Sequence, residues 1–338
     1  MRCNYCEFRC NLEGERYGVC RMYKEQNGKI IERFPNMWVT TVSRMESLPL
    51  YHIYPGSRAF SVGTAGCNFK CRYCSNSFIA KENPEDVLNR LEELLPDKFI
   101  TEAKKQKCES IVFNVNEPTV SLQTIERISP VAREAGLPMG CLTNAYFTEE
   151  TGELMTSLFS FFNVGLKGLS SDFCIDYLGI PNSEPVLRNI DMLGRRRHIE
   201  VVTPVIQGVN DGELKDMADF ISGIDKTIPW HIFRLLPESD MKSESYPNID
   251  AVNRLLEPVR QQLDYVYFHN FVGSDWVNTL CPECGAVAVE RFSMGCGGDL
   301  LKNVFCENGK CPKCGSVIKM ISKDEFIETG NVLQEAGV

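Results

Sequence analysis

Cys67-Asn68-Phe69-Lys70-Cys71-Arg72-Tyr73-Cys74 sets three thiols at C-x3-C-x2-C spacing, directly after the apolar run Ala59-Phe60-Ser61-Val62-Gly63. Thiolates are soft donors that suit the iron of iron–sulfur clusters. Three of them this close can wrap one cube, and three ligands for four irons leave one iron open to a small molecule. The rival is a structural zinc knuckle, which needs a fourth nearby ligand. No further Cys or His follows until Cys108.

Outward from that stretch the chain alternates strand and helix patterns. Short apolar runs at Ala59–Gly63, Ser110–Asn114, Pro138–Thr143, Phe161–Leu166, His198–Ile206 and Trp230–Arg234 suit strands buried on both faces. Amphipathic stretches lie between them at Pro84–Leu95, Ser121–Ala135, Glu149–Phe159, Glu184–Arg196 and Glu213–Ile221. Several open on an N-cap residue followed by acids, as in Thr148-Glu149-Glu150. Six such units predict an α/β fold, a partial (β/α)6 barrel. A further helix, Ala251–Leu263, and a strand, Tyr265–Phe268, lead out of it.

In such folds chemistry sits on the loops after the strands, and the Cys67–Cys74 loop follows the first strand. The same rule selects other candidates. Asn116-Glu117 ends the second strand, where a carboxylate and an amide can grip an ammonium group. Thr143-Asn144 ends the third, where it either bonds a ligand or forms a helix-entry turn. Lys167 ends the fourth strand, where a buried cation needs an anionic partner. His231 and Arg234 lie on the sixth. They meet a bound ligand, or His231 is a packed core imidazole. Cys174 follows the fourth strand and is the candidate thiol for donating a hydrogen atom. Cys108 and Cys141 read as buried apolar residues.

Sixteen cysteines are many for a reducing compartment, where tight C-x2-C pairs read as metal ligands rather than disulfides. They group: Cys3, Cys6, Cys10 and Cys20 first, the central three next, and six from Cys281 to Cys314. The first group, rich in turn residues, predicts a metal loop for zinc or an iron–sulfur cluster. At the other end, Cys281-Pro282-Glu283-Cys284-Gly285 and Cys311-Pro312-Lys313-Cys314-Gly315 are paired knuckles that predict a zinc ribbon. The 26 residues between them carry Cys296 and Cys306. Cys306, Cys311 and Cys314 also match plant-type ferredoxin spacing, so iron–sulfur is the second choice.

The chain of 338 residues therefore divides into a four-cysteine metal-binding extension (1–58), the β/α barrel (59–270), a Cys-rich zinc-ribbon-like module (271–322) and a polar tail (323–338). Residues 21–58 read as a polar hairpin around Gly28-Lys29 and a tethering loop, with His52 a hydrogen-bonded imidazole or a ligand. Hydrophobic content of 43% and charge of 24% are ordinary for a globular protein. A net charge of −9 argues against a protein built to grip nucleic acid. No apolar run approaches the roughly 20 residues a membrane span needs, and a cytoplasmic location is expected.

The C-x3-C-x2-C loop, with Tyr73 before the last cysteine, resembles the signature of the radical S-adenosylmethionine (SAM) superfamily. Cys3–Cys20 with Leu12-Glu13-Gly14-Glu15, Pro49-Leu50-Tyr51-His52 and Tyr54-Pro55-Gly56-Ser57 extend the likeness. So do Glu117-Pro118-Thr119, Pro229-Trp230-His231 and Asn278-Thr279-Leu280-Cys281. Together they resemble the AmmeMemoRadiSam-system radical SAM enzymes, which are similar to pyruvate formate-lyase activases in the barrel core. The resemblance implies a [4Fe-4S] cluster on Cys67, Cys71 and Cys74 whose open iron holds SAM. An electron from the cluster cleaves SAM to a 5′-deoxyadenosyl radical that abstracts hydrogen. It further implies Tyr73 beside the adenine, Glu117 on the amine, Lys167 facing SAM, and a flavodoxin or ferredoxin as electron donor. Asn116 and Gly165 depart from the family's pattern. A protein or peptide substrate is expected ahead of a small metabolite, because the terminal metal modules suit docking. A non-catalytic metal scaffold is the alternative from another class.

Overall fold

In the computed structural model, residues 1–14 and 16–321 are described; the polar tail, 323–338, lies outside them. The chain forms β1 (Tyr23–Gln26), β2 (Lys29–Glu32), β3 (Met37–Arg44), β4 (Arg58–Gly63), β5 (Glu92–Glu93), β6 (Ser110–Phe113) and β7 (Met139–Thr143). It continues with β8 (Phe161–Gly165), β9 (His198–Val205), β10 (Trp230–Arg234) and β11 (Val266–His269). Three more strands, β12 (Thr279–Leu280), β13 (Val287–Ser293) and β14 (Asp299–Val304), form a separate antiparallel sheet.

The main sheet has the order β11-β10-β9-β8-β7-β6-β4-β3-β5, and within it β4 and β6 through β11 pair in parallel, each with the next in chain order. Such a sheet has no topological switch point, the arrangement of a barrel rather than a doubly wound sheet. Among the described residues β11 does not pair with β5, so the barrel is open. The fold is thus α/β, a partial (β/α)6 barrel on β4 and β6–β10, lengthened at both edges.

Alternation along the strands divides the core in two. One set, including Phe60, Ile111, Phe113, Phe162, Val201 and Trp230, packs in the main core with the apolar stripes of the crossover helices. The other set includes Ala59, Val112 and Phe161, and it meets Met45, Leu48, Leu50 and Ile53 from the segment between β3 and β4. That segment fills the inner face of the sheet.

The structure redraws three predicted elements. Met37–Arg44, predicted to lie in a polar extension, is a full strand antiparallel to β4, with only the two-residue β5 beyond it. The hairpin turns on Asn27-Gly28, both left-handed at φ 53° and 72°, where the sequence suggests Gly28-Lys29. A two-residue turn with both φ positive matches the twist of the strands it joins. The helix predicted over Pro84–Leu95 is broken into Pro84–Val87, a 3-10 turn and β5, and the long helix runs Pro96–Lys105. Leu94 donates its N–H to Asn36 O (2.9 Å), and Pro96 starts the new helix at a position that needs no N–H. Among the described residues no helix is long and apolar enough to cross a membrane.

Candidate active site and metal centres

Gly63 ends β4, and the next turn delivers Cys67, Cys71 and Cys74. Burial is the main cause of the raised pKa of all three thiols, and Cys71 is pushed up to about 11. Empty, such thiols stay protonated, and a metal must drive their ionisation. The loop is held from several sides. Lys70 N donates to Leu178 O (2.9 Å), Arg72 N donates to Tyr177 O (3.0 Å), and Lys81 Nζ pairs with Asp240 (2.7 Å).

Asn116 serves this loop directly. Its Oδ1 accepts from Thr64 N (2.9 Å), and its Nδ2 donates to Ala65 O and Gly66 O at 3.2 and 2.7 Å. The amide predicted to bind a ligand is spent on the backbone just before Cys67, so it positions the loop.

Glu117 is almost fully buried. It accepts from Thr143 Oγ1 (2.9 Å), Asn144 N (2.7 Å) and Thr119 N (3.2 Å). Burial raises its pKa while these donors lower it, and its charge reaches Cys67. Asn144 donates Nδ2 to Asn68 Oδ1 (2.7 Å), tying the end of β7 to the cysteine loop. Three strand ends named from the sequence therefore meet in space. Lys167 joins them. Its Nζ lies 6.0 Å from the centroid of the Tyr73 ring, and its charge lowers the pKa of Cys71 and Cys74. It forms no ion pair among the described residues. Asn210 fixes its backbone by donating Nδ2 to Lys167 O (2.8 Å). The Tyr73 hydroxyl and Asn68 Nδ2 are buried without partners among the described residues.

The structure does not bring His231 or Arg234 to this place. His231 sits early on β10 in a buried network that holds all four histidines. His231 Nε2 meets Glu200 Oε2 at 2.7 Å, and its Nδ1 meets His269 Nε2 at 2.9 Å. His269 Nδ1 meets Asp299 Oδ2 at 2.8 Å, and Tyr51 OH donates to Asp299. His198 also reaches Glu200 (3.3 Å), and Glu200 takes the backbone N–H groups of Tyr51 and His52 at 2.9 Å each. His52 bonds Tyr267 OH and Lys319 O at 2.7 and 2.6 Å. Burial pulls His231 down to about 4 and His52 down to about 3. Both are packed imidazoles that fasten the inner segment and the C-terminal module to the sheet. No local motif announces Glu200 at the centre.

Arg234 is likewise committed elsewhere, donating Nε to Pro247 O (2.7 Å). Cys174, predicted in an open loop, lies on a π-turn and is wholly buried. Burial pushes its thiol up to about 11, against an opposing bond from Ser183, so it packs as a small apolar residue. A surface groove lined by Thr40, Val42, Glu92, Lys98 and Glu102 among others includes no cysteine.

In the C-terminal module the two knuckles are copies of one turn. Gly285 N donates to Cys281 O at 2.9 Å and Gly315 N to Cys311 O at 3.0 Å, each glycine left-handed. Cys281, Cys284, Cys311 and Cys314 present Sγ atoms all within 4.8 Å of one another. The pairs Cys281–Cys314 and Cys284–Cys311 are at 3.6 Å. A tetrahedral zinc with Zn–S of about 2.3 Å sets its sulfurs roughly 3.8 Å apart, so the four thiols fit one ion. Cys306 stands outside the set with its Sγ 3.9 Å from Met320 Sδ, and Cys296 is exposed.

Comparison with known proteins adds four findings. The uncharacterized protein MJ0808 of Methanocaldococcus jannaschii is 27% identical over 332 residues, covering 95% of this chain and 96% of that protein. A second relative from the same organism, MJ1632, is 23% identical over 60% of this chain and 77% of its own length. Its name assigns it provisionally as a glycyl-radical enzyme activating enzyme. Among solved structures, SuiB of Streptococcus suis bound to the precursor peptide SuiA aligns at a TM-score of 0.47 and 15% identity. The match covers 63% of this chain, which spans about half (47%) of the SuiB chain. The model of the radical SAM superfamily matches residues 61–221, from β4 through most of the helix Leu214–Ile224, so just under half of the chain is similar to a radical SAM domain.

Proposed function

We propose that this chain cleaves SAM reductively at a [4Fe-4S] cluster held by Cys67, Cys71 and Cys74, and takes a hydrogen atom from a protein or peptide substrate. One observation carries the reading. The three cysteines, the Glu117 carboxylate braced by Thr143 and Asn144, and the unpaired Lys167 cation converge at the ends of four parallel strands.

The cluster and SAM, when bound, supply the one-electron chemistry. The protein's residues do the rest. Glu117 takes SAM's ammonium group, its acceptor geometry fixed by three donors. Lys167 offers a positive charge to a carboxylate. Tyr73 gives an aromatic wall and a free hydroxyl. Asn116 and Asn68 hold the cysteine loop in place. Cys281, Cys284, Cys311 and Cys314 hold zinc. A flavodoxin or ferredoxin as electron donor is what the family resemblance implies.

Two observations support a macromolecular substrate. Phe78, Ile175, Val209 and Tyr246 are exposed, and each lies on a connection that leaves the C-terminal end of a parallel strand. Exposed large apolar side chains on the connections that carry the site suit a docking surface. The activating-enzyme name of MJ1632 points the same way.

The decisive measurement is 5′-deoxyadenosine formation by anaerobically reconstituted protein, with Cys71→Ala as control. Product that the substitution abolishes supports the radical reading, and an assembled cluster that yields none sinks it. Stimulation by the protein fraction of a cell extract supports the substrate class. Stimulation by the small-molecule filtrate alone overturns that class.

A further inference from the structure

Beyond the catalytic loop and the C-terminal knuckles, four further cysteines stand together in a place the reading above does not use. Cys3, Cys6, Cys10 and Cys20 line one cavity together with Tyr5, Asn68 and Thr119. Their loop is fastened to the barrel. Glu7 N donates to Tyr146 O (3.2 Å), Thr148 Oγ1 donates to Asn4 O (2.7 Å), and Tyr23 OH donates to Thr119 O (2.9 Å). The ends of β6 and β7 therefore support both this loop and the active site.

Two features of the cavity point to an occupant. Asn68, only 1% exposed, has an Nδ2 donor without a partner among the described residues, although its Oδ1 is bonded to Asn144. A buried donor left without an acceptor is costly, and sulfur in the cavity would satisfy it. The second feature is contact. Gly66, left-handed at φ 76°, is pressed so near that a Cβ there would lie 2.6 Å from Cys20 O. The N-terminal cysteines thus stand directly behind the catalytic loop.

The spread of the thiols selects the kind of metal. Among the described residues, the C-terminal four are the one group of ligand atoms mutually within 4.8 Å, as a single ion requires. The N-terminal four are not gathered so tightly, and neither are Cys67, Cys71 and Cys74. An iron–sulfur cluster attaches its cysteines to different irons and so holds them further apart than one ion does. Backbone bonds nonetheless gather the loop around its thiols: Cys3 N donates to Cys10 O (2.9 Å), Arg9 N to Cys6 O (3.0 Å) and Val19 N to Cys10 Sγ (3.4 Å).

We propose that Cys3, Cys6, Cys10 and Cys20 hold a second iron–sulfur cluster, ligated wholly by protein, against the loop that carries the catalytic cysteines. The inference rests on the function proposed above only in taking the Cys67 group as a cluster site for comparison.

The full chain, reconstituted anaerobically with iron and sulfide, is assayed for iron, acid-labile sulfide and zinc. The variants are Cys67→Ala/Cys71→Ala/Cys74→Ala and Cys6→Ala/Cys20→Ala. The triple variant is expected to keep iron and sulfide in equal amounts, with a reduced-state EPR signal that SAM does not alter. The double variant is expected to lose that share and keep the SAM-responsive signal. Zinc retained by the C-terminal knuckles in both reports that the fold survives, and Cys10→Ser replaces the double variant if it does not. A triple variant with no sulfide, or with a second zinc instead, overturns the proposal. So does a double variant with undiminished iron. If the triple variant loses no iron, the catalytic reading fails and this one stands.

Discussion

In the proposed function, Glu117 and Lys167 are the two residues on which SAM binding turns. Glu117→Gln keeps the shape and most of the hydrogen bonds, and removes the charge that would face an ammonium group. A hydrogen bond to a charged partner contributes about 1.5–3 kcal/mol, so SAM should bind roughly 10- to 100-fold more weakly, with cluster content unchanged. Equilibrium binding to the reconstituted variant measures this, and unchanged affinity would remove Glu117 from the site. The buried histidines make a second prediction. His231 and His52 are pulled down to about 4 and about 3, below the ordinary value near 6.5. As pH falls below that value the unfolded chain takes up protons that the folded chain refuses. Their contribution is therefore complete above about pH 7 and lost as pH falls towards 4, by about 1.4 kcal/mol per pH unit for each histidine. Glu200, held below the usual carboxylate range, loses its contribution in the same direction once pH falls below its ordinary value. Urea unfolding at pH 7.5, 6 and 5 checks the slope; a flat profile would mean the network is open to water.

At the scale of elements, the legible parts were those with a local signature. The cysteine spacings, the alternation of apolar strands with amphipathic helices, and the rule that chemistry follows strand ends led to Glu117, Thr143, Asn144 and Lys167. Met37–Arg44 escaped because a strand only half-buried, with Thr40-Thr41 at its middle, lacks a clean two-residue period. Pro84–Leu95 has helical spacing, yet pairing of Trp38 with Glu92 takes part of it into the sheet. The histidine network was illegible because His52, His198, His231 and His269 converge only after folding, and each alone reads as a core imidazole. The junction of loops at Gly66 can be tested. Gly66→Ala puts a side chain on a left-handed residue and against a backbone oxygen, costing about 1–2 kcal/mol. A lower urea midpoint with earlier loss of iron on dilution is expected. An unchanged midpoint would show that the two cysteine loops move independently.

Across the whole molecule, the C-terminal module belongs to the barrel's support. Asp299 and Arg291 reach Tyr51 on the inner segment, and Ile321 pairs with the His52–Tyr54 stretch through Tyr54 N to Ile321 O (3.1 Å) and Ile321 N to His52 O (2.8 Å). If the proposed zinc is there, stripping it with a chelator, or replacing Cys284 by Ser, should loosen this module first, since a structural zinc site contributes folding free energy directly. Limited proteolysis should then cut within 271–321 at least tenfold faster while the barrel persists as a fragment. Simultaneous loss of both regions would show them to be one cooperative unit.

The pairing of Ile53 with Ile321 also bears on how the protein is made. The inner segment emerges from the ribosome well before Ile321, the residue that clamps it. Until then the underside of the nascent barrel lacks its fastening. Contacts this distant along a chain form slowly, so completion of the sheet's inner layer must wait for that residue. A cluster of the kind proposed is then best inserted late, into a chain already closed from below.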